Sequence, residues 1–217
     1  MARHGLARLF NEVSEMSKTK AVPKERTAHK GEVGVGRVYG PYAVEISIVG
    51  VADLLMHRWE ADPPAPGPKG SRSKKEDNVP SYVYRCEDGT IGIPGMNFKM
   101  CLCDAGRYLQ DPRSPRKSAR DLFRAGLVVE GMGSLGVRTW DYEDKRRAVV
   151  QRNGINRTRP GFLAGWRTAF VVQVTDGEMI DLSMLPNAVE RAGRFVGLCD
   201  VRPDFGRFRV ESFRVLD

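Results

Sequence analysis

The sequence predicts an α+β fold in which an antiparallel sheet carries two helices, and three observations point there. Ala43–Val51 and Arg167–Val174 alternate with a period of two: Val44, Ile46 and Ile48 face one way and Glu45 and Ser47 the other, with Phe170, Val172 and Val174 repeating the pattern. Two later segments repeat apolar residues at helical spacing: Phe98, Cys101, Leu102, Ala105, Tyr108 and Leu109, then Leu185, Ala188, Val189, Ala192, Phe195 and Val196. Each helical stripe lies between strand-like segments.

Residues 1–38 read as a basic arm. Leu6, Leu9, Phe10 and Val13 give it a short amphipathic helix, which docks either on its own core or on a neighbour. The single domain expected at 39–217 starts with the Ala43–Val51 strand. A short turn through His57 and Arg58 follows, and the Pro-, Gly-, Ser- and Lys-rich stretch 61–78 predicts a mobile loop. Tyr82–Cys86 and Thr90–Ile93 predict a hairpin around Glu87-Asp88-Gly89. Pro94-Gly95 opens the first helix, and 110–120 is a second polar loop expected to be mobile. After it come a short helix, a strand near Leu127–Val129 and Gly-rich turns, then an extended stretch over Lys145–Arg159. Ser183 is the expected N-cap of the second helix, with Pro186 tolerated in its first turn. A Gly/Pro loop from Gly197 to Gly206 leads into a last strand, Arg207–Val215. This order is the split β-α-β–β-α-β pattern of ferredoxin-like (RRM-like) folds, with an extra hairpin and a long middle insertion at about 131–165.

Composition narrows the function. The net charge of +8 and a pI of about 9.5 favour polyanionic partners. No apolar run approaches the roughly 18 residues of a membrane span, and residues 1–20 lack the apolar core of a secretory signal, so a cytoplasmic location is expected. Cys86, Cys101, Cys103 and Cys199 show no disulfide framework and read as reduced thiols. Cys101 and Cys103 point to different sides of a helix, and the only histidines are His4, His29 and His57, so neither a metal nor a cofactor is expected. No phosphate-binding loop, dinucleotide fingerprint or nucleophile elbow appears.

The most informative stretch is Lys145–Arg167. It holds Lys145, Arg146, Arg147, Arg152, Arg157, Arg159 and Arg167 and not one acidic residue. Guanidinium forks grip phosphate with two donors and stack on bases. Gln151, Asn153 and Asn156 add neutral donors, and Phe162 and Trp166 add rings, the mixture a single-strand groove requires. The alternative is a solvated strand with charge on its outer face. In the last loop, Arg202, Phe205, Arg207 and Arg209 lie among glycines that let backbone N–H groups approach an anion, or else the arginines pair with Asp200 and Asp204. His57 has an unperturbed pKa near neutrality and is the one weak catalytic candidate, though no partner is tied to it by motif.

Ile93-Pro94-Gly95 before the first helix, and the glycine-bearing loop before the last strand, resemble the RAMP superfamily, the ferredoxin-like subunits of CRISPR effector complexes. Where that superfamily continues with small residues and an arginine, this chain has Met96, Asn97, Phe98 and Lys99. Leu54-Leu55-Met56-His57-Arg58, Tyr84-Arg85, Gly89, and Ala192 to Leu198 running into Arg202-Pro203 and Phe205-Gly206-Arg207-Phe208 resemble an uncharacterised family of bacteriophage proteins. The RAMP resemblance implies binding of a single strand along sheet edge and loops, head-to-tail assembly into a filament or ring, and a projecting thumb at the middle insertion. It also implies a nuclease aspartate in some members, for which Asp104 and Asp141 are candidates by elimination.

The sequence therefore leads to a non-enzymatic, phage-type binder of single-stranded RNA or DNA that self-associates. His57, Arg58, Lys99, Arg146, Arg147, Arg152, Arg157, Arg159, Arg167, Arg202 and Arg207 would contact the strand, and Phe162, Trp166 and Phe205 would stack. The alternatives are a RAMP-type nuclease and a structural or inhibitory protein whose basic face meets an acidic partner.

Overall fold

The computed structural model of the protein describes residues 40–59, 78–150 and 153–216, leaving aside the side chains of 148–150 and 153–155. The arm expected at 1–38, the expected mobile loop at 61–78 apart from Asn78, and Gln151 and Arg152 lie outside the described residues. In chain order the strands and helices are β1 (Tyr42–Gly50), β2 (Leu54–Leu55), β3 (Gly92–Pro94), α1 (Gly95–Ala105), β4 (Gln110–Asp111) and β5 (Ser114–Ser118). There follow α2 (Arg120–Gly126), β6 (Leu127–Val128), β7 (Met132–Ser134), β8 (Tyr142–Val150) and β9 (Asn153–Phe162). The last are β10 (Arg167–Val174), α3 (Met184–Arg191) and β11 (Phe208–Leu216).

The main sheet has the order β11-β1-β10-β6, and every neighbouring pair is antiparallel. Period-two alternation decides its faces. Val44 pairs with Val172 and Ile46 with Phe170, and all four side chains are buried. Against them pack Phe98, Cys101 and Leu102 of α1 and Leu185, Ala188 and Val189 of α3. The Phe98 ring stacks on Phe170 with centroids 4.0 Å apart, fixing α1 on the sheet. Gly95 is required where α1 begins, because a Cβ there would lie 2.4 Å from the Val129 carbonyl oxygen. The start of the helix is thereby pressed against the strand-to-strand connection beside it.

Four expectations are corrected. Residues 110–120 form the β4–β5 hairpin instead of a mobile loop. Asp111 organises it: its carboxylate accepts from the Arg113 backbone N–H (2.9 Å), from Nε (2.9 Å) and from Nη2 (2.7 Å). Tyr82 lies in a 3-10 turn over Val79–Tyr82, so the expected first hairpin is shorter than read. It closes around Glu87-Asp88-Gly89 through Cys86 N–H to the Thr90 carbonyl (2.8 Å), Gly92 N–H to the Tyr84 carbonyl (3.1 Å) and the Arg85–Ile91 bridge, and β3 pairs with β7. Ser183 holds the N-cap position of α3 as expected but makes no side-chain capping bond; Asp181 supplies it, its Oδ1 accepting from the backbone N–H groups of Ser183 (2.9 Å) and Met184 (2.7 Å). Tyr108 and Phe195, both assigned inward by helical spacing, are 51% exposed. Tyr108 follows the end of α1 in a 3-10 turn, and Phe195 lies in a π-helical turn over Ala192–Val196, so both have left the 3.6-residue period.

Hydrogen bonds from Arg113 hold the Asp111 carboxyl well below its ordinary 3.8, at about 2. Its folded pKa is depressed, so the hairpin's share of stability from Asp111 is present above 3.8 and is lost as pH falls through about 2. The Arg113 side-chain N–H resonance should titrate with a midpoint near 2, and Asp111→Asn should abolish that titration. A midpoint at the ordinary carboxylate value would contradict the assignment.

Candidate nucleic-acid interface

The acid-free stretch folds into the β8–β9 hairpin, and its register distributes the charges. Lys145 faces Thr158, Arg146 faces Arg157, Arg147 faces Asn156, and Asp144 faces Arg159. Alternation then places Arg146, Arg157 and Arg159 with Tyr142 and Asp144 on one face, and Lys145 and Arg147 on the other. The single cationic face that the sequence suggests is therefore divided in two.

The first face is turned toward the segment after β1 and toward the last loop. Tyr142 donates its hydroxyl to Asp53 Oδ2 at 2.9 Å. Burial first, then that bond, pushes the Tyr142 hydroxyl up to about 12. The Arg146 guanidinium lies over the Phe205 ring, 4.7 Å from its centroid, and pairs with Asp144 through two bonds of 2.5 and 2.6 Å. Arg157 Nη1 contacts His57 Nε2. A guanidinium only donates, so Nε2 is the accepting nitrogen in this arrangement. His57 packs edge-on against Tyr82 at 4.4 Å, and Arg58 lies over Tyr84 at 5.7 Å. Cations and rings thus alternate along this side, while the exposed face of the main sheet presents Glu45, Ser47, Ala169, Val171 and Gln173 in place of RRM-type stacking rings.

Several expected contacts have structural duties instead. Phe162 is 2% exposed, because the end of β9 pairs with Leu54 of β2 and turns the ring into the core. Trp166 is also buried, and its indole N–H donates to the Ala52 carbonyl at 2.9 Å. Neither ring is available to a strand. Arg159 is buried and donates to Asp200 at 2.5 Å. Its Nη1 has no hydrogen-bond partner among the described residues. Arg167 reaches Glu211 at 3.2 Å, Lys99 is half-buried on α1, and Arg207 donates to the Pro203 carbonyl at 2.7 Å. Arg202 lies 3.9 Å from Asp104, which also meets Arg107 at 3.2 Å and Arg120 at 3.6 Å. Asp141 accepts from the Leu163 N–H at 2.8 Å. Both nuclease-aspartate candidates are thus engaged in structure.

The last loop is fixed at both ends. Gly206 has φ +73°, and its N–H donates to the Asp53 carbonyl at 2.7 Å. Asp200 donates its N–H to Leu55, extending β2 by one bridge. On either side of Asp200, Cys199 (φ 60°) and Val201 (φ 56°) occupy the left-handed region, at a cost of about 1–3 kcal/mol each. Burial pushes the Cys101 thiol up, and the Cys199 thiol up to about 12, so neither is a nucleophile near neutrality. Among the described residues no group of three His, Cys, Asp or Glu is placed to hold a metal ion. No described helix is long and apolar enough to cross a membrane. Sequence reasoning missed Asp53, Tyr108 and the pairing of Arg159 with Asp200. Only the doubly flanked Asp200, offered as a partner for loop arginines, gave a signal.

No family model matches the chain, and no curated protein matches it. Among solved structures, a chain in the cryo-EM structure of the Type III-B Cmr-beta bound to cognate target RNA is similar, with a TM-score of 0.50 and 10% identity. The alignment covers 100% of this chain and 68% of that one. At that identity the likeness speaks for the fold alone, and it supports the α+β architecture read from the sequence.

Asp200→Ala leaves Arg159 buried beside an unsatisfied nitrogen. Loss of a fully buried partner costs roughly 3–5 kcal/mol. Asp200 is 36% exposed, so solvent reduces the expected loss to about 2 kcal/mol. Urea denaturation should show that loss, and adding Arg159→Met should restore much of it. A double variant no more stable than the single one would remove the pair from this role.

Proposed function

We propose that the protein binds single-stranded RNA without cleaving it, along the Arg146 and Arg157 face of the β8–β9 hairpin and the adjoining last loop. One observation carries the reading: Arg146 and Arg157 stand directly opposite each other across the two strands. Like charges in that relation destabilise a sheet. Asp144 pairs with Arg146 and the Phe205 ring lies under it, while Arg157, directly opposite, adds a second positive charge to the same face. A phosphate backbone relieves such crowding, because each phosphate accepts two donors from a guanidinium fork. Phe205, held beneath Arg146, gives a base a surface next to the phosphates. Arg147 and Lys145, on the opposite face, attract the strand at longer range.

The sheet order β11-β1-β10-β6, with α1 and α3 in the connections, supports the ferredoxin-like assignment and with it the RAMP reading. RNA is favoured over DNA as the ligand because the similar solved structure is described as bound to target RNA. Self-association along the strand belongs to the same reading. His57 enters it as a contact that holds Arg157, whose guanidinium donates to its Nε2.

Filter binding of a labelled 12-nucleotide RNA at several salt concentrations tests this. Replacing both Arg146 and Arg157 with Ala should weaken binding and flatten the log–log salt slope by roughly 1.4, about 0.7 for each single-strand phosphate that is no longer neutralised. An unchanged slope would remove this face from the interface, and preference for the same sequence as DNA would overturn the choice of RNA.

A further inference from the structure

Beside the last loop lies a groove of about 510 Å³ whose lining includes no residue of the β8–β9 hairpin. It falls within the roughly 300–1,000 Å³ range of small-ligand sites. Its walls come from the end of α1 and the turn after it (Asp104, Arg107, Tyr108), the π-helical turn (Phe195, Val196) and residues 199–203 of the loop. Two features set it apart from a surface crease. The first is a pair of aromatic rings, Tyr108 and Phe195, tilted at 51° with centroids 5.2 Å apart, each half-exposed to solvent. The π-helical turn is what presents Phe195: the Gly197 N–H bonds to the Ala192 carbonyl at 2.9 Å, widening the turn and rotating the ring out of the core. Such turns recur at functional sites. Arg191 fixes the other side by donating to the Tyr108 carbonyl.

The second feature is charge. Arg107, Arg120 and Arg202 share one carboxylate, Asp104, at 3.2, 3.6 and 3.9 Å. Three guanidinium groups facing one carboxylate leave an excess of two positive charges, and these partners are loosely held. The backbone at Cys199 and Val201 is kept in the left-handed region along the same wall. Strain of this kind gathers at binding sites.

We propose that this groove is a nucleotide pocket, in which a base stacks on Phe195 and Tyr108 while its phosphate draws Arg107 and Arg202 away from Asp104. The proposal rests on the nucleic-acid reading but locates a second contact, lined by residues other than those of the hairpin. The nucleotide is either one unit of a bound strand or a free mononucleotide, since both present the same base and phosphate.

The test compares wild-type protein with Phe195→Ala and Phe195→Trp. A labelled 12-nucleotide RNA is titrated by fluorescence anisotropy, and UMP, CMP, AMP and GMP are titrated by calorimetry. Base stacking on an aromatic side chain is worth enough that Phe195→Ala should weaken binding at least about fivefold, with the salt slope unchanged. Phe195→Trp should restore it. An RNA carrying 4-thiouridine should crosslink to Tyr108 or Phe195 in the wild-type protein, a readout that needs no variant to fold. Mononucleotide binding that is abolished in Phe195→Ala identifies free nucleotides as ligands; an effect seen with the strand alone identifies a strand nucleotide. Strand binding that is intact in Phe195→Ala yet abolished in the double arginine variant, with no crosslink to either ring, overturns the pocket and leaves the hairpin reading standing. Wild-type protein that binds neither RNA nor any mononucleotide overturns both.

Discussion

Asp53 joins three parts of the chain that are far apart in sequence. Its Oδ2 accepts from Tyr142 at the base of β8, its Oδ1 accepts from the Ala164 N–H, and its carbonyl accepts from the Gly206 N–H at the end of the last loop. One turn after β1 therefore fixes where the hairpin starts and where the loop ends. Asp200 completes the frame from the other side by pairing its backbone with Leu55 and its carboxylate with Arg159. The Arg146 and Phe205 contact depends on this frame, because neither the hairpin nor the loop places its own side chain against the other.

The arginines divide by surroundings into different kinds of work. Arg159 is buried against a carboxylate and acts as structure. Arg113 pairs within its own hairpin, and the exposed Arg167 reaches Glu211 on β11, a surface pair that contributes little. Arg146 and Arg157 are opposed to each other, an arrangement that lowers the stability of the hairpin. A net charge of +8 does not by itself make a binding surface. Guanidinium groups outnumber carboxylates most clearly around Asp104, which three arginines share, whereas Arg146 beside Phe205 is paired with Asp144 and Arg157 opposite it leans on His57.

The last loop contributes residues to both places. Phe205 faces the hairpin, whereas Cys199 to Pro203 wall the groove above Tyr108 and Phe195. The left-handed residues on either side of Asp200 let one short segment serve both sides, since they turn the backbone sharply while its carboxylate stays on Arg159. A strand lying across the loop would meet cations and rings on each flank.

Strand and helix periodicity made the main sheet, α1 and α3 legible, because alternation and the 3.6-residue repeat are local consequences of backbone geometry, while Lys145–Arg159 read only as extended and its hairpin pairing did not. The acid-free run of arginines was equally legible as composition. Register was not: whether Arg146 meets Arg157 or Asn156 depends on pairing, and a shift of one residue would exchange the faces. Phe162 and Trp166 carried the composition of a stacking surface yet were drawn inward by pairing with Leu54 and Ala52, whereas Phe195 carried a core period and was turned outward by one widened turn. The sequence alone determined that β1, β10, β11, α1 and α3 form and how much positive charge the chain carries, since those follow from neighbours along the chain. Tertiary structure alone decided which rings and guanidinium groups face solvent, since burial and ion pairing are set by residues brought together from distant segments.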